Sequence, residues 1–293
     1  MFLTVLNLVK RAAYECNIPT PTALISSTST LDLQLRYLLV AQARALRNHR
    51  IFPQQKKEYN FSIEEGRTNY YLPRDYYAAL PQTQWDTDRK WRLIGPLSDA
   101  AFTDRVRGEI SSTNQIAYRI FGPDFNDNGV GGQFIVDPAF PDDAALFFEY
   151  ITATTFLPKH WQPSTAYTSG VYVNANGNIY LCDTNGTSGA TAPSDQTNNI
   201  TDGTTRWDWI EDTYDEPVAD TDLCLFDDDV MIAGLKWRFL EARKQDYQQA
   251  KADYDDLVER TVSRLKGSFV GRMDCPRSDR RSGYYVPNGG WSF

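Results

Sequence analysis

Cysteine is sparse and scattered in this chain of 293 residues: Cys16, Cys182, Cys224 and Cys275 stand far apart, with no C-x-x-C pair. That spacing fits free thiols in a reducing cytoplasm better than a disulfide framework or a zinc site. Histidine is scarcer, with only His49 and His160, and neither has a metal-ligand partner four residues on. No apolar run approaches the ~18 residues that a membrane span needs. The N-terminus is apolar, but its cations Lys10 and Arg11 follow the apolar stretch instead of preceding it, and no small-residue cleavage site is evident, which speaks against a secretory signal. The phosphate-loop and nucleophile-elbow patterns are both missing, and Gly129-Val-Gly131-Gly132 lacks the strand–helix setting of a dinucleotide loop. These absences argue against an enzyme, and the sequence predicts no cofactor, no metal and no catalytic residue.

The remaining chemical candidates have plainer readings. Asp124-Phe-Asn126-Asp-Asn128-Gly129 opens like a calcium loop, but Ile135 stands where the twelfth-position Glu belongs, so it reads as a loop between strands. Cys182 with His160 is a nucleophile pair only in the sense that any sequence offers one, and both read as structural. Asp227-Asp228-Asp229 reads as a solvated helix N-terminus rather than a cation site, because carboxylates complement the positive end of a helix. Three formal glycosylation sequons, at Asn60, Asn185 and Asn199, mean nothing without secretion.

Aromatics are abundant, at 13%, which suits aromatic β-structure or large buried interfaces. The net charge of −8 excludes a general nucleic-acid coat, yet charge is unevenly placed. From Arg264 to Arg281, six cations face only Asp274 and Asp279. This basic tail, with its aromatics Tyr284, Tyr285, Trp291 and Phe293, has two readings: a solvated terminus, or a peptide that docks on an acidic or phosphate-rich surface.

Periodicity divides the chain. Apolar residues at helical spacing over 2–16 predict a first helix ended by Pro19 and Pro21, and a second runs from about Leu31 to His49, the two forming a helical hairpin. Alternation over 57–63 and Tyr70-Tyr71-Leu72, joined by Glu65-Gly66, predicts a β-hairpin, and further strands are expected at 115–121, 133–137 and 145–156. Residues 161–210, poor in Leu and rich in Asn, Thr, Ser, Gly, Tyr and Trp, read as an all-β module of roughly 50 residues, near the lower limit for independent folding. Its hairpins are expected at Asn176-Gly177 and Asn185-Gly186. From Thr221 to Lys266 the helical pattern returns and predicts one rod of roughly 60 Å, terminated by Gly267.

Several segments together resemble the head-to-tail adaptors that sit beneath the portal of short-tailed double-stranded DNA phages. They are Thr4-Val-Leu-Asn-Leu-Val with Asn17-Ile-Pro-Thr-Pro-Thr, Tyr70-Tyr71-Leu72-Pro73-Arg74-Asp75-Tyr76, Gly95-Pro96-Leu97-Ser98, Phe148-Glu149-Tyr150-Ile151, and Asp220-Thr-Asp222 followed by Gly234-Leu-Lys-Trp237-Arg238-Phe239 and Asp246-Tyr247. The resemblance implies an α+β fold: a helical core with a β-layer over 1–158 and 214–266, and a portal-docking arm over 267–293. It implies a homo-oligomeric ring, commonly of twelve copies, in the virion neck, assembled in the host cytoplasm. That ring binds the portal protein above and a tail nozzle or tail tube protein below, and encloses double-stranded DNA. The arm residues it singles out are Arg272, Arg277, Arg280, Arg281, Tyr284, Tyr285, Trp291 and Phe293. Residues 159–213 resemble small carbohydrate-binding modules, through Trp161-x-x-Ser-Thr-Ala-Tyr167, Gly170-Val-Tyr172-Val, Ile179-Tyr180-Leu-Cys182 and Asp202-Gly-Thr-Thr-Arg-Trp207. This makes Tyr172, Trp207 and Trp209 candidates for contact with a surface glycan, although in a module this small Trp161, Tyr180 and Trp207 are more often its core. Its place in the chain implies an outward decoration. The alternative function is a glycan-binding virion protein for host recognition, and a tail fibre is a further candidate partner.

Overall fold

The computed structural model describes residues 3–49, 52–80, 82–108, 115–122, 132–141, 143–210 and 214–265. Helix α1 (Val5–Glu15) and helix α2 (Thr30–His49) lead into β1 (Lys56–Ile63), β2 (Asn69–Tyr71), β3 (Tyr76–Ala79), β4 (Trp85–Asp86), β5 (Trp91–Arg92) and α3 (Asp99–Arg107). Four strands follow: β6 (Ala117–Phe121), β7 (Gln133–Asp137), β8 (Ala144–Thr152) and β9 (Phe156–Leu157). The next region holds β10 (Ala166–Tyr167), β11 (Tyr172–Ala175), β12 (Asn178–Thr184), β13 (Gly186–Thr187), β14 (Ile200–Asp202) and β15 (Thr205–Ile210). The chain returns through β16 (Leu223–Cys224) to α4 (Asp228–Ala242) and α5 (Gln248–Leu265). The architecture is mixed α and β, with small antiparallel sheets and no barrel among the described residues.

Helix α4 is the centre of the helical layer. Its Val230, Met231, Leu235 and Phe239 are buried together with Val5, Leu8, Val9 and Ala12 of α1 and with Leu35, Leu39, Ala43 and Leu46 of α2. The contact with α2 is close because Gly234 has no side chain: a Cβ there would lie 2.3 Å from the Gln42 amide. Gln42, fully buried, donates to the Tyr254 hydroxyl at 2.7 Å and accepts from Arg238 Nε at 2.6 Å, which ties α2, α4 and α5 at one point. On the α1 side, Lys236 pairs with Glu15 at 3.1 Å. Residues 234 and 238 share a helix face, and 236 lies roughly 200° around the axis from both. Helices α1 and α2 therefore flank α4 and do not form the expected hairpin.

Two further helical expectations are corrected. α1 stops at Glu15, with Asn17 turning left-handed at φ 53°, so the chain leaves the helix before either proline is reached. The long rod is instead two antiparallel helices. The break falls at Arg243–Tyr247 with Lys244 at φ 56°, and folding back sets Trp237 against Tyr247 and Tyr254 and brings Arg264 to Asp227 at 2.9 Å.

The β-layer is two stacked sheets. One has the order β1-β8-β4-β5 with β3 also on β8; the other is β2-β7-β6. Glu65-Gly66 does make a turn, with Gly66 at φ 75°, but no hairpin results: β1 pairs with β8 along its whole length and β2 with β7. The turn passes the chain from one sheet to the other. Between them Tyr118, Phe134 and Phe148 stack, at centroid separations of 4.7 and 5.9 Å, with Tyr70 and Phe61 around them. Each such ring contributes about 2–3 kcal/mol by leaving water.

Residues 159–210 form a four-stranded sheet, β11-β12-β15-β14, plus the β10·β13 pair. Asn176 and Gly177, at φ 49° and 81°, join β11 to β12 as the tight turn requires. Asn185-Gly186 is no hairpin: β13 pairs with β10, and Gly186 is needed because a Cβ would strike the Thr204 carbonyl at 2.4 Å. The inner face buries Trp161, Val173, Ala175, Tyr180, Cys182 and Trp207. The outer face is not free, because Ile179, Tyr172 and Ile210 pack into the cluster of the helical layer, Tyr172 against Tyr214 at 5.8 Å. A decoration standing clear of the body is therefore not what these residues build. Where the region begins and ends, β9 pairs with β16, so exit and return lie side by side.

Gly234→Ala is expected to cost about 1–3 kcal/mol by overpacking against a Gln42 that two hydrogen bonds pin. Combined with Gln42→Ala the loss should be less than additive; urea melts of the single and double variants measure this coupling.

Candidate interaction surfaces

An active site would recruit buried carboxylates, and the described residues hold Asp75, Asp86, Asp202 and Asp222 in that state. Asp202 accepts from both Trp161 Nε1 and Trp207 Nε1 at 2.9 Å, and from the Gly189 backbone N–H. It is the polar centre of the 159–210 region. Asp222 accepts from the Tyr214 hydroxyl and from the backbone N–H groups of Val218 and Ala219 at 2.8–2.9 Å, and burial holds its carboxyl above the usual range. Asp220 accepts from the N–H groups of Leu24 and Ile25. Burial would raise Asp75 too, but Lys57 at 2.7 Å, Thr152 and Tyr150 donate to it and bring it below the ordinary carboxylate range. Each of these groups joins distant stretches of chain or closes a turn by accepting two or more hydrogen bonds.

Trp207, one of the three residues expected to meet a glycan, is 0% exposed, with its indole edge held by Asp202, so it belongs to the core. Tyr172 faces Tyr214 and Trp209 packs half-buried on the inner cluster; the structure does not bring the three onto one open face. The eight arm residues, Cys275 and Asp124–Gly129 lie outside the described residues. Cys182 is buried, its thiol pushed up by desolvation, and donates to the Thr184 carbonyl, whereas His160 bonds Asn174 at the surface. Asp227 caps α4 by accepting from Asp229 N–H, as expected of a helix N-terminus, but the end is not fully solvated: Asp227 also pairs with Arg264, and Asp228 accepts from Leu3 N–H with burial raising its carboxyl.

Among the described residues no cluster of His, Cys, Asp and Glu is placed to hold a metal, and no helix is long and apolar enough to cross a membrane. A groove of about 360 Å³ runs between α1, α4 and α5; four of its charges are paired, Lys236 with Glu15 and Arg260 with Asp256, and Asp253 accepts from the Gln249 amide. What stands open is aromatic surface. Tyr14 on α1 is 73% exposed and Tyr37 on α2 70%, and because α1 and α2 flank α4 the two belong to different sides of the helical layer. Tyrosine offers large contact area for little rotamer entropy, so this arrangement is suited to adhesion.

The sequence reading missed Asp202, Asp222, Asp75 and Gln42. For Asp202, Asp75 and Gln42 the partners Trp161, Thr152 and Tyr254 lie 41, 77 and 212 residues away, where an isolated Asp or Gln carries no signal of them; the partners of Asp222 lie within eight residues.

Asp202→Ala strands two indole N–H groups and should destabilise the 159–210 region by about 3–5 kcal/mol, read as early loss of near-ultraviolet circular dichroism. Asp75 supplies the pH dependence. Its folded pKa is lowered, so its stabilisation is present above the ordinary carboxylate pKa and is lost as pH falls through the folded value. Asp75→Ala should cost about 3 kcal/mol at pH 7 and progressively less as pH falls below the ordinary carboxylate range, as measured by urea melts along that series.

No family model matches the chain and no curated protein matches it, so its function has to be argued from its own residues.

Proposed function

We propose that the chain is a structural ring subunit, the head-to-tail adaptor of a tailed phage. It joins the portal to the tail nozzle or tube, helps retain packaged DNA, and works without catalysis. The observation that carries this reading is the pair of exposed tyrosines on opposite flanks of the α1–α4–α2 layer. A closed ring needs two different surfaces on each copy, one to give and one to receive. Tyr14 and Tyr37 supply an anchor to each.

The remaining features agree with this. The helical layer around α4 and the stacked sheets form the adaptor core, and residues 159–213 are an insertion closed by the β9·β16 pair. The basic arm, 267–293, follows α5 and carries the portal contact through its arginines and aromatics. Net negative charge leaves few cations to hold phosphates, so DNA in the lumen slides.

Sedimentation and mass photometry, with and without the purified portal, test the proposal. Rings are expected, and Tyr14→Ser or Tyr37→Ser should each weaken assembly by about tenfold or more, since losing one anchor costs about 1.4–2 kcal/mol. Removing 267–293 should abolish portal capture while leaving the thermal melt of the remainder unchanged. A chain that stays single at every concentration and ignores the portal overturns the reading.

A further inference from the structure

The outer face of the five-stranded sheet carries an aromatic row fixed by register. Asn60 of β1 stands opposite Phe147 of β8, Phe147 opposite Trp85 of β4, and Trp85 opposite Arg92 of β5. Cross-strand partners share a face, and the neighbours of these residues along the chain, Phe61, Leu146, Phe148 and Asp86, point to the buried side. One step along the strands, Glu58 stands opposite Glu149; one step the other way, Ser62 stands opposite Ala145. Trp85 is 42% exposed although β4 lies between β8 and β5, so the exposure is not that of a sheet edge. Among the described residues, neither Trp85 nor Phe147 joins any of the three hydrophobic clusters.

Two aromatic side chains directly opposite one another on neighbouring strands, with Cβ atoms about 5 Å apart, thus make an apolar strip bordered by an amide, a hydroxyl, two carboxylates and a guanidinium. The size of the strip selects its occupant. A protein partner needs about 800 Å² of surface per side with an apolar centre, and this strip meets polar groups within one residue in every direction. A pyranose ring has the matching pattern: C–H faces that lie on aromatic rings, and hydroxyls around its edge that both donate and accept. The charge selects further. Glu58 and Glu149 directly opposite one another repel, and they repel any anionic ligand, whereas hydroxyl donors relieve both. Phosphate, sulfate and uronate are disfavoured.

We propose that this sheet face binds neutral pyranose rings, stacked on Trp85 and Phe147 and hydrogen-bonded by Asn60, Glu58, Glu149 and Arg92. The site lies apart from the 159–210 region, whose tryptophans are committed to its own interior, and it does not depend on ring assembly. A chain that bound sugar but stayed single would overturn only the adaptor reading.

The test titrates the full chain with hexasaccharides of cellulose, amylose, xylan, mannan and chitin, with polygalacturonate as the anionic control, followed by calorimetry and tryptophan fluorescence. Saturable binding is expected for at least one neutral oligosaccharide and none for the polyuronate. Trp85→Ala should weaken that binding about tenfold or more, the equivalent of ~1.4 kcal/mol, while Trp85→Phe and Trp209→Ala keep most of it. Because Trp85 is at the surface, the thermal melts should match. Failure of every neutral oligosaccharide to bind at millimolar concentration overturns the proposal, and so does binding that survives Trp85→Ala. A change in the solution mass of the unliganded chain on Trp85→Ala would also overturn it, by assigning the face to a second copy.

Discussion

The stretch from Asp220 to Leu225 holds the helical layer to everything else, and it does so with backbone hydrogen bonds that would otherwise go unmade. The first N–H groups of a helix have no partner within it. Here the Val5 N–H donates to the Asp222 carbonyl and the Leu6 N–H to the Asp220 carbonyl, while the Asp220 side chain takes the N–H groups of Leu24 and Ile25. Two residues further on, Leu223-Cys224 pairs with Phe156-Leu157, and Leu225 N–H reaches the Thr155 carbonyl. Three distant chain segments converge on these six residues. With the start of α1, the approach to α2 and the exit from β8 all fixed there, α4 has one groove left to occupy, and it fills it with Val230, Met231 and Leu235.

Asp222 sits at this junction as a buried carboxylate with no cation beside it among the described residues, held by hydrogen-bond donors, and burial raises its pKa. Ionising such a group costs free energy. A cation would relieve that cost, but a single oxygen here takes a hydroxyl and two backbone N–H groups at defined angles, which a diffuse ion pair would not enforce. Asp202 follows the same design with two indoles, and Asp75 follows it with Lys57 added. Geometry is gained at the expense of electrostatic comfort. That exchange suits a body whose outer surfaces must be presented in fixed relation to one another.

Features written in local sequence were legible. The amphipathic periods of α1 and α2, the strands at β6, β7 and β8, the Asn176-Gly177 turn and the all-β character of 159–210 each follow from spacing within a dozen residues. Pairing was not legible, because Glu65-Gly66 specifies a turn without saying that β1 and β2 then enter different sheets. The α4–α5 break was hidden for a different reason. Its apolar residues keep helical spacing straight through Arg243–Tyr247, with neither Gly nor Pro to mark a stop, and what rewards the fold-back is the burial of Trp237 against Tyr247 and Tyr254. One local clue existed: Asp246 accepts from Gln248 N–H, the kind of bond that opens a new helix. The candidate sites fared likewise. Trp207 could be placed in a core from the aromatic density around it, but the row Asn60–Phe147–Trp85–Arg92 exists only through three strand registers, and no reading of 60, 85, 92 and 147 in isolation brings them together.

That contrast explains why the tryptophans sort as they do. A small sheet such as β11-β12-β15-β14 has little volume to bury, so its largest side chains must fill the interior, and a polar edge such as Nε1 is tolerable there only because Asp202 receives it. The five-stranded sheet faces no such shortage. Its inner face already packs Phe61 and Phe148 on Phe134 of the facing sheet, and the far end of its outer face meets α2, where Arg47 lies over Tyr77 and Tyr77 donates to Asn48. Trp85 and Phe147 are thus left over from both requirements. A large aromatic pair exposed on a central strand contributes little to the fold of the described residues, and this is why the proposed sugar site is placed there.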